Sequence, residues 1–149
     1  MIIDDLIFKL RQASQDIKTT VIRDAVIENE AIILDMNTYD QLFEKGITAD
    51  NISIASYQPY RPNTITIKAL KGQPTNRVTL KDEGDFYRSF YLEYYDDRVF
   101  ITAGDDKAEK LAFKYGERIF GLTDENKTIL AKEYIKPILI DYLKNIFTV

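Results

Sequence analysis

The sequence contains no cysteine, no histidine and no tryptophan. Without cysteine there is no disulfide framework and no thiolate metal site, which fits folding in a reducing compartment. Without histidine the usual general base near neutral pH and a common metal ligand are both missing. Triads of the Ser-His-Asp or Cys-His type therefore cannot be assembled, and catalysis would fall to carboxylates, lysine, tyrosine or an oxygen-ligated metal. Long hydrophobic runs are lacking too. No stretch reaches the roughly 18 apolar residues of a membrane span. Residues 1–10 carry Asp4 and Asp5 early and have no basic region ahead of an apolar one, so they do not read as a signal peptide.

What is present describes an ordinary globular chain. Its 149 residues suit one domain, and 45% apolar with 30% charged residues argues against disorder. The net charge of −4 is unevenly spread. From Met1 to Lys45 there are nine acids against five bases, an excess of four negative charges, and the rest of the chain balances. Within that balance, residues 51–81 contain no acid at all and carry Arg61, Lys68, Lys71, Arg77 and Lys81.

Hydrophobic spacing outlines the elements. Ile2, Ile3, Leu6, Ile7 and Leu10 recur as on a helix, and a longer helix is expected from about Gln15 to Asp35. Residues 39–45 read as a further helical turn stopped by Gly46. The segment from Ile47 to Lys81 holds three of the four prolines and shows alternating pieces (Ile52, Ile54; Ile65, Ile67) without helical period. It is read as an extended arm. Phe90, Leu92 and Tyr94, a polar Asp96-Asp97-Arg98 turn, then Val99 and Ile101 make the clearest hairpin. Residues 108–115 form a short helix closed by Gly116. Thr123 is the expected N-cap of a last helix, with Asp124 and Glu125 in its first turn and Pro137 kinking it before Phe147. The expected fold class is α+β: N-terminal helices, an arm at about 47–81, a small antiparallel sheet with a central hairpin, and a kinked C-terminal helix.

Each candidate for chemistry has a structural reading beside it. Asp82, Glu83 and Asp85 around Gly84 offer oxygen ligands for a divalent cation, but the spacing is that of a turn feeding Phe86. Asp105 and Asp106 offer paired carboxylates, or a cap for the helix that follows. No lysine stands beside a glycine-rich phosphate loop. These residues point to no catalytic, cofactor-binding or metal role, although a metal-dependent enzyme using Asp82, Asp85 or Asp105 is the third function class the sequence admits. The basic stretch fits nucleic-acid phosphates, the acidic face of another protein copy, or a solvated loop. Ten tyrosines and eight phenylalanines are present, and aromatics concentrate at the centres of interfaces. Tyr57, Tyr60 and Tyr91, with Arg61, Lys68, Lys71 and Arg77, are the expected subunit-interface residues.

Several phrases occur in a telling order: Gln41-Leu42-Phe43-Glu44-Lys45-Gly46-Ile47; Tyr57; Thr64, Lys68 and Gly72; residues 78–86 (Val-Thr-Leu-Lys-Asp-Glu-Gly-Asp-Phe) with Ser89-Phe90; Tyr115-Gly116; and Ile119 to Asn126. Over about residues 41–126 this order resembles small tailed-phage virion-morphogenesis proteins, the head–tail connector, neck and tail-completion subunits. The resemblance implies a homo-oligomeric ring that contacts portal, connector or tail proteins and surrounds a channel for genomic DNA without binding it specifically. It also implies residence in the virion after synthesis in the host cytoplasm. A basic arm from residues 51–81 laid on the acidic N-terminal third of the next copy would then close the ring. The alternative class is a cytoplasmic protein-binding or regulatory module with no virion role.

Overall fold

The computed structural model describes residues 3–96 and 98–148. Ile2, read into the first helix, and Asp97, read into the hairpin turn, lie outside the described residues. In chain order the elements are α1 (Ile3–Asp16), a π-helical turn (Ile17–Val21), α2 (Ile22–Glu28), α3 (Glu30–Asp35), a π-helical stretch (Met36–Lys45), α4 (Pro62–Leu70) and α5 (Asp85–Arg88). They continue with β1 (Phe90–Tyr94), β2 (Val99–Ala103), α6 (Ala108–Tyr115), α7 (Asp124–Ile129), a π-helical stretch (Leu130–Ile135) and α8 (Lys136–Phe147). The chain divides into two compact units, one of residues up to Glu30 and from Lys127 onward, the other of Ala31–Asn126.

The first unit is helical. Helix α8 packs against α1 and the π turn, and Leu130–Ile135 packs against α2. The Tyr142 hydroxyl donates to Asp16 Oδ2 at 2.9 Å. Hydrophobic spacing predicts one helix ending near Leu10 and another starting near Gln15; instead winding continues through that point and widens at Ile17–Val21. Thr19 and Thr20 explain the widening. Their hydroxyls bond back to the carbonyls of Gln15 and Asp16, each at 3.0 Å, and compete with the α-helical ladder. The C-terminal helix is bent by 39°, as its proline predicts. Pro137 stands in the first turn of α8, directly after the π-helical stretch. It cannot supply an amide and would crowd the carbonyl four residues back.

The second unit holds the core. Leu42, Ile54, Val78, Phe86, Phe90, Ala108, Tyr115 and Ile119 form one buried cluster. Phe90 anchors its aromatic part, edge-on to Phe86 at 5.0 Å and tilted against Phe120 at 5.3 Å. The hairpin pairs Phe90 with Ala103 through Tyr94 with Val99 in antiparallel register. That register turns Phe90, Leu92 and Ile101 to the core and Tyr91, Glu93 and Phe100 to the other face. No further described strand pairs with either edge.

Polar clips join the helical and irregular parts of this unit. Asn37 and Gln41, one turn apart and both fully buried, read the backbone of residues 119–123. Asn37 Nδ2 donates to the Ile119 carbonyl at 3.0 Å, and its Oδ1 accepts the Gly121 amide at 2.9 Å. Gln41 Nε2 donates to the Gly121 carbonyl at 2.9 Å, and its Oε1 accepts the Thr123 amide at 2.8 Å. Thr123 Oγ1 in turn accepts the Asn126 amide at 3.2 Å, the expected N-cap. Gly46 ends the preceding helix in the left-handed region at φ 61°, where only glycine is unstrained.

The stretch from 47 to 81 corrects the sequence reading. It is not an extended arm: residues 62–70 form helix α4, and Thr48, Ile54, Val78 and Thr79 are among the most buried residues of the chain. Pro62 occupies the first turn of α4, where its fixed φ favours helix and its missing amide costs nothing. Arg61 before it is extended, as a residue preceding proline must be. The helix closes in a Schellman motif: Gly72 at φ 65° donates to Ala69, and Gln73 donates to Lys68, at 3.0 and 2.9 Å.

Candidate interaction surface

Helix α4 is amphipathic in the reverse sense. Its inward side carries Thr64 and Lys68, and Lys68 is only 8% exposed. Its outward side carries Ile67, 53% exposed, and Leu70, 83% exposed, three residues apart and therefore adjacent on one face. A buried lysine with exposed branched apolar side chains is the reverse of what burial favours, and such departures are the informative ones.

The inward position of Lys68 has a local cause. Its ammonium donates to Gln73 Oε1 at 2.8 Å and to the Lys81 carbonyl, and it lies 5.5 Å from the centre of the Tyr60 ring. Residues 78–81 cross the core without a strand partner, so their backbone groups must find other partners. The Thr79 amide donates to the Tyr60 hydroxyl at 3.0 Å, and the Tyr87 hydroxyl donates to the Thr79 carbonyl. Leu80 takes φ 59°, an uncommon value for leucine, between these two anchored carbonyls. Burial, as the first cause, pushes the Tyr87 phenol well above its ordinary range.

The other bases of the stretch are also engaged within the unit. Lys71 pairs with Asp82 at 2.5 Å. That hydrogen bond raises the lysine's pKa and lowers the carboxyl's. Arg77 Nε donates to the Phe43 carbonyl at 2.7 Å, with its guanidinium over the Phe43 ring. Lys81 sits among three rings, 4.6 Å from Phe43, 5.4 Å from Tyr39 and 6.0 Å from Tyr87. Arg61 alone among the five stays exposed without an ion-pair partner among the described residues.

Of the seven expected interface residues, Tyr57, Arg61, Lys71 and Tyr91 are exposed. Tyr60 and Arg77 are half-buried and serve the backbone contacts above. Lys68 is corrected outright: its ammonium faces inward and is taken by its own unit. What the sequence reading missed is the apolar side of the surface, Ile67 and Leu70, together with Phe113 on α6, 95% exposed. On the hairpin, Tyr91, Tyr95 and Phe100 are exposed, and Tyr95 meets Phe100 edge-on at 5.5 Å.

The acidic candidates take structural places. Asp82 holds Lys71, Asp85 opens α5 and pairs with Arg88, and Asp105 Oδ1 accepts the Lys107 amide at 2.7 Å. Among the described residues no group of three or more His, Cys, Asp or Glu is placed to hold a metal ion. A cleft of about 240 Å3 lies beside this turn, walled by Leu80, Phe86, Leu111 and Tyr115 and rimmed by Lys81 and Lys107. No helix among the described residues is long and apolar enough to cross a membrane. No family model, curated protein or solved structure matches the chain.

Proposed function

We propose that this chain is a non-enzymatic structural subunit of the head–tail joint of a tailed phage, a neck, connector or tail-completion protein that works by associating with copies of itself in a ring. The observation that carries the reading is the reversed helix α4, which spends its buried side on a lysine and turns Ile67 and Leu70 outward. Exposed apolar side chains on adjacent turns mark a surface that is covered in the working state. The aromatic outer face of the hairpin adds surface of the same kind. The order of phrases over residues 41–126 supplies the phage-joint context.

Four of the five bases in residues 51–81 are engaged inside their own unit, so the contact between copies is chiefly apolar and charge orients it. Assembly should therefore tolerate moderate salt. The test is light scattering of the purified protein over a range of concentration and salt, with negative-stain micrographs of the same samples. A closed multimer that survives moderate salt is expected. A monomer under every condition, with no rings, would overturn the reading and favour a cytoplasmic regulatory module.

A further inference from the structure

We propose that the cleft beside the Asp82–Asp85 turn binds a small apolar carboxylate, its acid group held by Lys68 and Lys107 and its body by Leu80, Phe86, Leu111 and Tyr115. The inference does not depend on whether copies of the chain associate, because every residue of the cleft belongs to the unit of Ala31–Asn126.

Charge is the first argument. Lys68 lines the cleft yet is only 8% exposed. An ammonium has three N–H donors, and the two acceptors that meet this one, Gln73 Oε1 and the Lys81 carbonyl, are both neutral. A buried charge is ordinarily matched by an opposite one, and no carboxylate among the described residues forms an ion pair with Lys68. The acids of the rim have other partners. Asp82 pairs with Lys71 at 2.5 Å, and Asp85 pairs with Arg88. Lys107, on the same rim, forms no hydrogen bond or ion pair through its side chain among the described residues. The Lys71 hydrogen bond is the first cause that holds the Asp82 carboxyl below its ordinary range, and Lys68 and Lys107 act on it in the same direction. Three ammoniums therefore converge on one carboxylate. With the ion pairs included, Lys68, Lys71, Lys81, Arg88 and Lys107 face only Asp82, Glu83 and Asp85, an excess of two positive charges in a protein whose net charge is −4.

Shape is the second argument. The wall is hydrocarbon and ring, with Phe86 and Tyr115 themselves buried. A bare inorganic anion would leave that wall wet, whereas a carboxylate on an apolar body meets both wall and ammoniums, the usual anatomy of a small-ligand site. The space is about 240 Å3. That exceeds the roughly 150 Å3 that accepts a benzene ring and falls short of the roughly 300–1,000 Å3 of sites for drug-sized ligands. The body that fits is one ring or a chain of similar bulk. Leu80 on the wall takes φ 59°, a backbone departure of the kind that collects at ligand sites. A free acid offers this chemistry, and so does the terminal carboxylate of a protein chain that ends in an apolar residue.

The experiment is a ligand-observed saturation-transfer NMR titration of the full chain, which reads binding to a monomer or a multimer alike. The probes are 3-phenylpropionate, its neutral amide, acetate and the peptide Gly-Gly-Phe. The acid should bind at about millimolar concentration or tighter, the amide about tenfold or more weakly, and acetate not measurably. Lys107→Ala should weaken the acid about twofold to fivefold. Lys68→Met, checked for folding by circular dichroism, should weaken it about tenfold or more. Should that variant fail to fold, the acid, the amide and Lys107→Ala decide. No binding of the acid would overturn the site. An amide that binds as well as the acid would overturn recognition by the ammoniums, and acetate binding equally well would overturn the apolar wall. Acid binding unchanged in Lys107→Ala would place the ligand elsewhere and overturn the assignment. Gly-Gly-Phe binding like the acid assigns a chain end, and its exclusion assigns a free acid; both support the shared chemistry.

Discussion

Removing the Asn37 amide should unhook the loop that leads into the last helix. Asn37 is fully buried and spends both ends of its side chain on backbone, donating to Ile119 and accepting from Gly121. In Asn37→Ala those two groups lose their partner. Each buried polar group left unsatisfied costs about 1–3 kcal/mol, so the expected loss for the two is about 2–6 kcal/mol. That is a large share of the roughly 5–15 kcal/mol that holds a typical domain together. Gln41→Ala should cost a similar amount, since its side chain bonds the Gly121 carbonyl and the Thr123 amide. The double variant should lose less than the two singles together, by about 0.5–3 kcal/mol, because both clips hold one loop. The assay is urea unfolding followed by far-UV circular dichroism and tyrosine fluorescence, which the absence of tryptophan leaves unobscured. A loss below about 0.5 kcal/mol for Asn37→Ala, the scale of an ordinary surface change, would show that the loop does not depend on this clip.

Three further outcomes are expected. Gly46→Ala and Gly72→Ala both force alanine to positive φ, but only at Gly46 does the new Cβ strike a neighbour, Arg77 Cβ at 2.9 Å. Gly72→Ala should cost about 1–2 kcal/mol by chemical denaturation and Gly46→Ala clearly more. Thr123→Ala should cost about 1 kcal/mol through loss of the cap, with Thr123→Ser close to wild type in the same assay. Tyr87 ionises at a higher pH in the folded chain than in the unfolded one, chiefly because it is buried. Its stabilising effect is therefore whole below the ordinary tyrosine pKa of about 10 and is lost as pH rises from there toward the raised folded value. Denaturation across alkaline pH should show a decline that is shallower in Tyr87→Phe.

The parts of the fold legible in the sequence are those where burial and period agree. The hairpin shows because Phe90 and Leu92 alternate with exposed Tyr91 and Glu93. Pro137 and Gly46 show because their backbone demands do not depend on tertiary context. Helix α4 was hidden for a physical reason. Ile65 and Ile67 alternate as in a strand, two prolines precede them, and the face that packs inward is Thr64 and Lys68. A search for a buried apolar stripe cannot find a helix that turns its stripe outward. The legible signal was Pro62 as a first-turn residue, with Thr64 and Lys68 four apart and Ile67 and Leu70 three apart. The same reversal misdirected the candidate site. Lys68 reads from sequence as one base of an acid-free stretch, whereas its ammonium is taken inside its own unit, and no sequence period marks Leu70 as exposed.

The measurement that bears most directly on the central claim is native mass spectrometry of the purified wild-type protein beside Leu70→Asp. Wild type should give one closed multimer of fixed copy number, and the variant a monomer. A wild-type protein that is monomeric throughout, or a variant that keeps the wild-type mass, would contradict it.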